Sequence, residues 1–353
     1  MNWREALYRT RLNTIDPMIA VSLVHNFKKS KLNHDSETYM RDCSESNNIL
    51  DSAIIKDIAQ FYGRIRNKGY DVEIAQHRLA ISFLSSSHSI PMPTSLRGFR
   101  NLLELVYLSS CYGFILLDSE STPLSKYCLV EGDILTLYDN SRFFIETIDP
   151  WVIVETFFLE VHKQPLSGET IVIDVGAAFG DTALYYARKG AKVLAIEPVN
   201  FDSLVRNLGL NQDIASRITC VNSAIGDGEV RPIYYVPNEF DGNARLDSSP
   251  FDRVKRNKAS IHTLTIEEIM NSHGIENGDV LKMDCKGCER FLMPNDLQHI
   301  LKYVEITTSF VKSVVDVLNK SGFNTWSINY NPLDRMSAIE QSTTYGVKKS
   351  LAI

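Results

Sequence analysis

Ile171-Val172-Ile173-Asp174-Val175-Gly176-Ala177-Ala178-Phe179-Gly180-Asp181-Thr182 is the stretch that decides the fold. Its first five residues are an apolar, β-branched run broken by one carboxylate, the pattern of a strand covered on both faces in a parallel sheet. Gly176 and Gly180 then remove Cβ atoms where the chain must bend and where a ligand can approach the backbone. Asp181 or Thr182 is expected to cap a helix running to Lys189. Strand, glycine turn and helix in this order form the ligand-binding turn of an open α/β sheet.

Charge narrows the ligand. A dinucleotide turn reads G-x-G-x-x-G and sets a pyrophosphate on bare helix N–H groups. Here the glycines are spaced G-x-x-x-G, and carboxylates at Asp174 and Asp181 would repel a pyrophosphate. A ligand carrying an ammonium and a sulfonium suits them. The second strand, Lys192 to Ile196, ends in Glu197-Pro198, placing a carboxylate where it can accept the hydroxyls of a ribose. The combination reads as a site for S-adenosylmethionine, against the plainer reading of a turn that only closes a strand-helix unit. The expected cofactor residues are Asp174, Gly176, Ala177, Gly180, Asp181, Thr182, Glu197 and Pro198, with Asp174 orienting either the donor or the turn. A third strand, Ile218 to Ala224, adds Ser223 and Ala224 beside an adenine ring.

Downstream, Phe201 to Asn211 and Thr265 to His273 read as helices, and Val230 to Val236 as a further strand. Residues 237–258 are polar and aperiodic, a loop so long that it is expected to be either functional or poorly ordered. The fourth strand, Val280 to Asp284, opens the stretch Leu281-Lys282-Met283-Asp284-Cys285-Lys286-Gly287-Cys288-Glu289. Ligands of open parallel sheets bind beyond the C-terminal strand ends, so Asp284 is expected to join Asp174 and Glu197 at one crevice. Strand Tyr303–Thr307, helix Val311–Ser321 and a strand near Thr325 to Asn329 complete an alternating α/β pattern. Cys285 and Cys288 form a C-x-x-C pair, but the chain has no second C-x-x-C or H-x-x-x-H. A redox or zinc role is the lesser alternative; they are read as small packing residues, and no metal is expected. Asn331-Pro332-Leu333-Asp334 is read as a turn.

Residues 1–148 form an accessory region and residues 149–353 the ligand-binding domain; 353 residues accommodate about two domains. Up to about residue 110 the accessory region reads as helical. Ile54, Ile55, Ile58, Phe61 and Tyr62 fall at helical spacing, as do Ile74, His77, Leu79 and Phe83 more loosely. Ser85 to Pro93 is a proline-punctuated break, a linker or a mobile loop. A β-meander follows through Tyr127–Val130, Ile134–Tyr138 and Phe143–Glu146, and Pro150 opens a helix carrying Val152, Val154, Phe157, Phe158 and Val161. The net charge of −6 gives no general attraction for nucleic acid. Six scattered cysteines are unlike a disulfide scaffold, and the N-terminus lacks a signal-peptide layout. The apolar run Pro17 to Val24 is too short to span a membrane. A cytoplasmic protein is expected; its oligomeric state is left open.

Val172-Ile173-Asp174-Val175-Gly176-Ala177 with Gly180-Asp181-Thr182, Ile196-Glu197-Pro198, Asn211, and Leu281-Lys282-Met283-Asp284 with Gly287 and Glu289 resemble the FkbM family of S-adenosylmethionine-dependent methyltransferases over residues 168–330. The resemblance implies a class I methyltransferase fold, a mostly parallel sheet with helices on both faces. It further implies S-adenosylmethionine as donor and a hydroxyl as acceptor, on a sugar or a secondary metabolite. Asp284 and Glu289 are then the catalytic candidates: Asp284 for the donor's amino-acid end or the acceptor hydroxyl, Glu289 as a general base or a plain first-turn residue. The chain departs from the family at Ala178, usually asparagine, at Lys286, usually glutamate, and at Cys288, usually alanine. Val304 to Thr307 lacks the histidine many relatives carry after strand five, so no histidine base carries over. Lys286 either attracts an acidic acceptor or points to solvent. The leading function is methylation of a carbohydrate or another small polar acceptor. The alternatives are an RNA or protein methyltransferase that recruits through residues 1–148, and a cofactor-binding scaffold without catalysis.

Overall fold

The structure, a computed structural model, describes residues 49–75, 78–83, 86–112, 115–117, 127–235, 245–246, 257–308, 310–329 and 342–351. His77, Ser85, the Pro17 to Val24 run and Asn331 to Asp334 lie outside them. The chain divides into two compact units, Met1–Val154 and Glu155–Ile353. No helix among the described residues is long and apolar enough to cross a membrane.

In the first unit, helix α1 (Ile49–Asn67) buries Ile58, Phe61 and Ile65, bearing out the helical spacing of its apolar residues. The described residues between Ile74 and Phe83 are not helical. They belong to β1 (Asp71–Ala75) and β2 (Arg78–Phe83), paired antiparallel with each other and with β3 (Ser86–Pro91), so the expected linker is largely a strand. Leu79 and Ile81 are buried at a period of two, which outweighs the looser match to a helix. Helix α2 (Leu96–Tyr112) leads to β4 (Ile115–Leu117), β5 (Tyr127–Glu131), β6 (Ile134–Leu137) and β7 (Arg142–Phe144). The last three are the expected meander, with β4 added parallel to β5. Buried Asn101 of α2 donates to the carbonyls of Ile145 and Ile148 at 2.8 and 3.0 Å, locking the chain after β7. Asp149 then caps α3 (Pro150–Ile153) by accepting from the Trp151 N–H at 2.9 Å, with Pro150 at the position where no donor is needed.

The second unit is built on a seven-stranded sheet in the order β10-β9-β8-β15-β16-β18-β17. Its strands are β8 (Ile171–Val175), β9 (Lys192–Ile196), β10 (Ile218–Val221), β15 (Gly278–Met283), β16 (Ile300–Thr308), β17 (Phe323–Asn329) and β18 (Ser342–Lys348). All neighbours from β10 to β16 are parallel, and only β18 runs antiparallel to its two partners. This is a mixed, mostly parallel α/β sheet. Strand order reverses beside β8, so the crevice lies beyond the C-terminal ends of β8, β9 and β15. Helices α4 (Asp181–Arg188), α5 (Phe201–Gly209), α6 (Ile266–Ser272), α7 (Pro294–Gln298) and α8 (Val311–Lys320) are interleaved with the strands. Thr265 caps α6 in a reciprocal box with Glu268.

A second sheet was not foreseen. It pairs β11 (Ala224–Ile225), β14 (Asn257–Leu264), β12 (Val230–Tyr235) and β13 (Arg245–Leu246). Of the loop expected over residues 237–258, the described parts Arg245–Leu246 and Asn257–Lys258 are strand.

Candidate active site

The turn after β8 is wedged between two strand ends. Gly176 and Ala177 donate to the Ile196 carbonyl at 2.9 and 3.1 Å, and the Asp284 N–H donates to the Val175 carbonyl at 2.9 Å. Gly176 has φ +76°, and a Cβ there would sit 2.4 Å from the Asp284 carbonyl oxygen, so only glycine fits. Ala178 follows at φ +48°, left-handed backbone that disfavours a side chain. Its N–H donates to Glu197 Oε2 at 3.0 Å. The other carboxylate oxygen of Glu197 accepts from Val199 and Asn200 N–H at 2.7 and 2.8 Å. Glu197 therefore ties the turn after β8 to the turn after β9. Burial raises its pKa, and these three amides pull against the rise.

Beyond the strand ends lies a cleft that opens to solvent. Its polar wall carries Glu197, Asn200, Ser223, Asp284 and Lys286. Its apolar wall carries Val175, Ile196, Val199, Ile225, Ile233 and Leu246. Gly176, Pro198 and Ala224 also line it, so five expected residues meet here with Asp284 as a sixth. Sequence reasoning missed Leu246, Ile233 and Ile225, which reach the cleft through the unforeseen second sheet. Asn200 was adjacent to the recognised Glu197-Pro198 signal and could have been found from it.

Asp174 does not reach the cleft. It is fully buried, ion-paired through Oδ1 with Lys282 Nζ at 3.0 Å, and its Oδ2 accepts from the Thr182 hydroxyl at 2.6 Å. Three carboxylates therefore do not converge on the cleft; Glu197 and Asp284 line it. Asp181 and Thr182 also turn inward: α4 is capped by Gly180 without a side-chain bond, and Asp181 accepts from Thr156 at 2.9 Å. Burial raises the Asp181 pKa to about 6, against the opposing pull of Lys282 and His162. Ala177 and Gly180 are not part of the cleft wall either; the Ala177 carbonyl accepts from the Gly180 N–H at 2.7 Å and closes the turn.

Lys282 explains the buried charge. In sheet register it stands between Asp174 of β8 and Glu305 of β16. Its ammonium also donates to the Gly176 carbonyl at 3.1 Å. Burial alone would lower its pKa, but Asp174, Asp284 and Asp181 outweigh burial and hold it above the ordinary lysine value. Further along, His162 Nδ1 lies 2.6 Å from Glu305 Oε1, and Gln164 donates to Glu305 Oε2 at 3.2 Å. No histidine follows strand five, yet one from 143 residues away meets it.

Glu289 is buried, accepts from the Gly287 N–H at 2.6 Å and from the Thr308 hydroxyl at 3.2 Å, and is not in the cleft wall. It latches the loop after β15 and is not placed to act as a base. Lys286 lines the cleft and pairs with Asp284 at 2.5 Å, so neither expectation for it holds unchanged: its charge is matched internally. Burial opposes ionisation of Asp284, but Lys286 and Lys282 prevail and keep its pKa below the usual carboxylate value. Cys285 and Cys288 are joined by a disulfide, which corrects their reading as unlinked packing residues.

Residues 174–324 match the model of the methyltransferase FkbM domain. No curated protein matches the chain. Among solved structures, the chain is similar to the methyltransferase FkbM from Methylobacillus flagellatus KT, at 15% identity and a TM-score of 0.38. That match covers 82% of this chain and 60% of the other, so the chain spans about three-fifths of that protein. It is also similar to Aeropyrum pernix fibrillarin in complex with natively bound S-adenosyl-L-methionine, at 12% identity, a TM-score of 0.36, and coverage of 78% and 98%. The matched residues 174–324 include the turn held by Glu197 and the strand ends that frame the cleft.

Proposed function

We propose that this chain transfers a methyl group from S-adenosylmethionine to a hydroxyl of a carbohydrate or another small polar acceptor. The observation that carries the donor assignment is Glu197, a carboxylate at the end of β9 that lines the cleft while holding the glycine turn. A carboxylate has about four lone-pair positions, of which three are used on backbone N–H groups, leaving one for a ribose hydroxyl. Ser223 and Ala224 at the end of the neighbouring strand, with Ile225 and Leu246, form an apolar-edged slot suited to an adenine ring. Asp284, held anionic by two lysines, suits the ammonium of the donor's amino-acid end or a hydroxyl of the acceptor.

When bound, S-adenosylmethionine supplies a methyl group already activated by its sulfonium. The protein's part is then to align donor and acceptor and to hold the acceptor proton's path. Gly176, fixed by Lys282 and by Asp284 across the strand ends, sets the depth at which a donor can lie against the backbone. Asp284, with its pKa lowered, is a weak base, so its contribution is orientation rather than full proton removal. The test is a turnover assay with methyl-labelled donor against glycan, metabolite and tRNA fractions. Label transferred to a base-stable ether in the glycan or metabolite fraction supports the reading. Transfer to tRNA alone would replace it with the RNA alternative, and donor binding without transfer to any fraction would favour the scaffold.

A further inference from the structure

The wall of the cleft contains a bond that donor binding does not require. Cys285 and Cys288, on either side of Lys286 and Gly287, are joined with Cα atoms 5.6 Å apart, and both line the cleft. We propose that this disulfide is a reversible exchange site for a dithiol reductant, and that its redox state sets the affinity of the cleft for the donor. The proposal rests on the donor reading above.

Access and constraint both point this way. Cys285 is half-buried and Cys288 is almost wholly buried, so the Cys285 sulfur is the one an incoming thiolate reaches. Inside the ring, Lys286 has φ +51° and Gly287 φ +125°. Left-handed backbone is unfavourable for lysine and persists where the surroundings impose it. The disulfide closes a ring around these two residues, within which Lys286 pairs with Asp284 in the cleft wall. Gly287 is pressed against the second sheet, since a Cβ there would lie 2.7 Å from the Leu246 carbonyl oxygen. Opening the ring frees Lys286 to leave that conformation and takes the Asp284 pairing with it.

Reduction also adds a competitor. Cys285 Sγ lies 3.6 Å from Glu289 Oε2, the oxygen that accepts from the Gly287 N–H. In the disulfide this sulfur carries no proton; as a thiol it can donate to the same oxygen. The loop that Glu289 latches is therefore held differently in the two states.

The exchange balances without other reactants. A thiolate of the dithiol attacks Cys285 Sγ, the Cys285–Cys288 bond breaks, and its electron pair leaves on Cys288, which takes up a proton. The second thiol then attacks the mixed disulfide, releasing Cys285 as a thiol and the reductant as its own disulfide. The protein gains two electrons and two protons, and the dithiol loses them. If the oxidised cleft binds donor more tightly by some factor, bound donor makes the disulfide harder to reduce by the same factor.

The test titrates S-adenosylmethionine into the full chain by calorimetry, oxidised and after treatment with dithiothreitol. The expected result is a dissociation constant that differs at least five-fold between the oxidised and the reduced chain. The double variant Cys285→Ser, Cys288→Ser is expected to show the reduced chain's affinity with or without dithiothreitol. Should that variant fail to fold, a dithiothreitol titration of the native chain with and without donor, read by peptide mapping of the Cys285–Cys288 bond, gives the same factor independently. Equal affinities in the two states overturn the coupling while leaving the donor reading intact. Binding in neither state overturns both. One equivalent of zinc taken up by the reduced chain and lost in the double variant would make Cys285, Cys288 and Glu289 a metal site, overturning the exchange role.

Discussion

Replacing Lys282 by methionine probes the centre of the second unit. Lys282 and Asp174 are both almost wholly buried, with Nζ and Oδ1 3.0 Å apart, and the Thr182 hydroxyl is the other polar partner of the Asp174 carboxylate. Lys282→Met preserves the length and apolar stem of the side chain but strands a buried carboxylate, a change that costs about 3–5 kcal/mol. It also frees the Gly176 carbonyl, which accepts from Lys282 at 3.1 Å. With a urea slope of about 2 kcal/mol per molar, the unfolding midpoint should fall by roughly 1.5–2.5 M. Adding Asp174→Asn removes the stranded charge, and the double variant should regain at least half of the loss. The assay is urea unfolding followed by circular dichroism at pH 7.5. A single variant within about 0.5 kcal/mol of the native chain, or a double variant no better than the single, would refute the view that this ion pair supports the turn.

Three further outcomes follow from the same geometry. Ala178→Gly relieves left-handed backbone at φ +48°, so after the entropy of an added glycine it should stabilise by about 0.5–1 kcal/mol, seen as a rise of roughly 2 °C in thermal unfolding; no rise would contradict the strain argument. Asp181 has a folded pKa raised by burial to about 6, above its unfolded value, so the folded state binds the extra proton between about pH 4 and 6 and loses stability as pH rises through that window. Asp181→Asn should flatten the slope of stability against pH there, and an unchanged slope in urea titrations across that window would count against the assignment. His162 has its pKa raised by Glu305 despite burial, which lowers it; that contribution is present below the unfolded histidine value and lost as pH rises through the folded one. His162→Gln should therefore cost more stability at pH 6 than at pH 9, and an equal cost at both would remove the charged pair from the account.

The parts of this molecule legible in the sequence were those whose signal is local. Ile171 to Thr182, Glu197-Pro198 and Asp284 each announce a strand end by composition within a few residues, and each lies where the sheet makes a crevice. What could not be read depended on pairing register. Lys282 sat in plain view within a recognised motif, but its role follows from standing between Asp174 and Glu305 across three strands. His162 and Glu305 are 143 residues apart, and no period links them. Leu246 reaches the cleft only because β13 pairs with β12, a pairing of two residues that has no compositional mark. The misreading of Ile74 to Phe83 has a simpler cause. Short apolar runs match a helix and a strand almost equally, and antiparallel partners decided between them.

The central claim is that this cleft binds a methyl donor through Glu197, and calorimetric titration of S-adenosylmethionine into the native chain and into Glu197→Gln tests it most directly. Glutamine keeps the shape but removes the charge that three backbone N–H groups and a ribose hydroxyl would share. Loss of a hydrogen bond to a charged group costs about 1.5–3 kcal/mol, so affinity should fall roughly 10- to 100-fold with unit stoichiometry retained. Absence of saturable binding to the native chain, or equal affinity in the variant, would contradict the account.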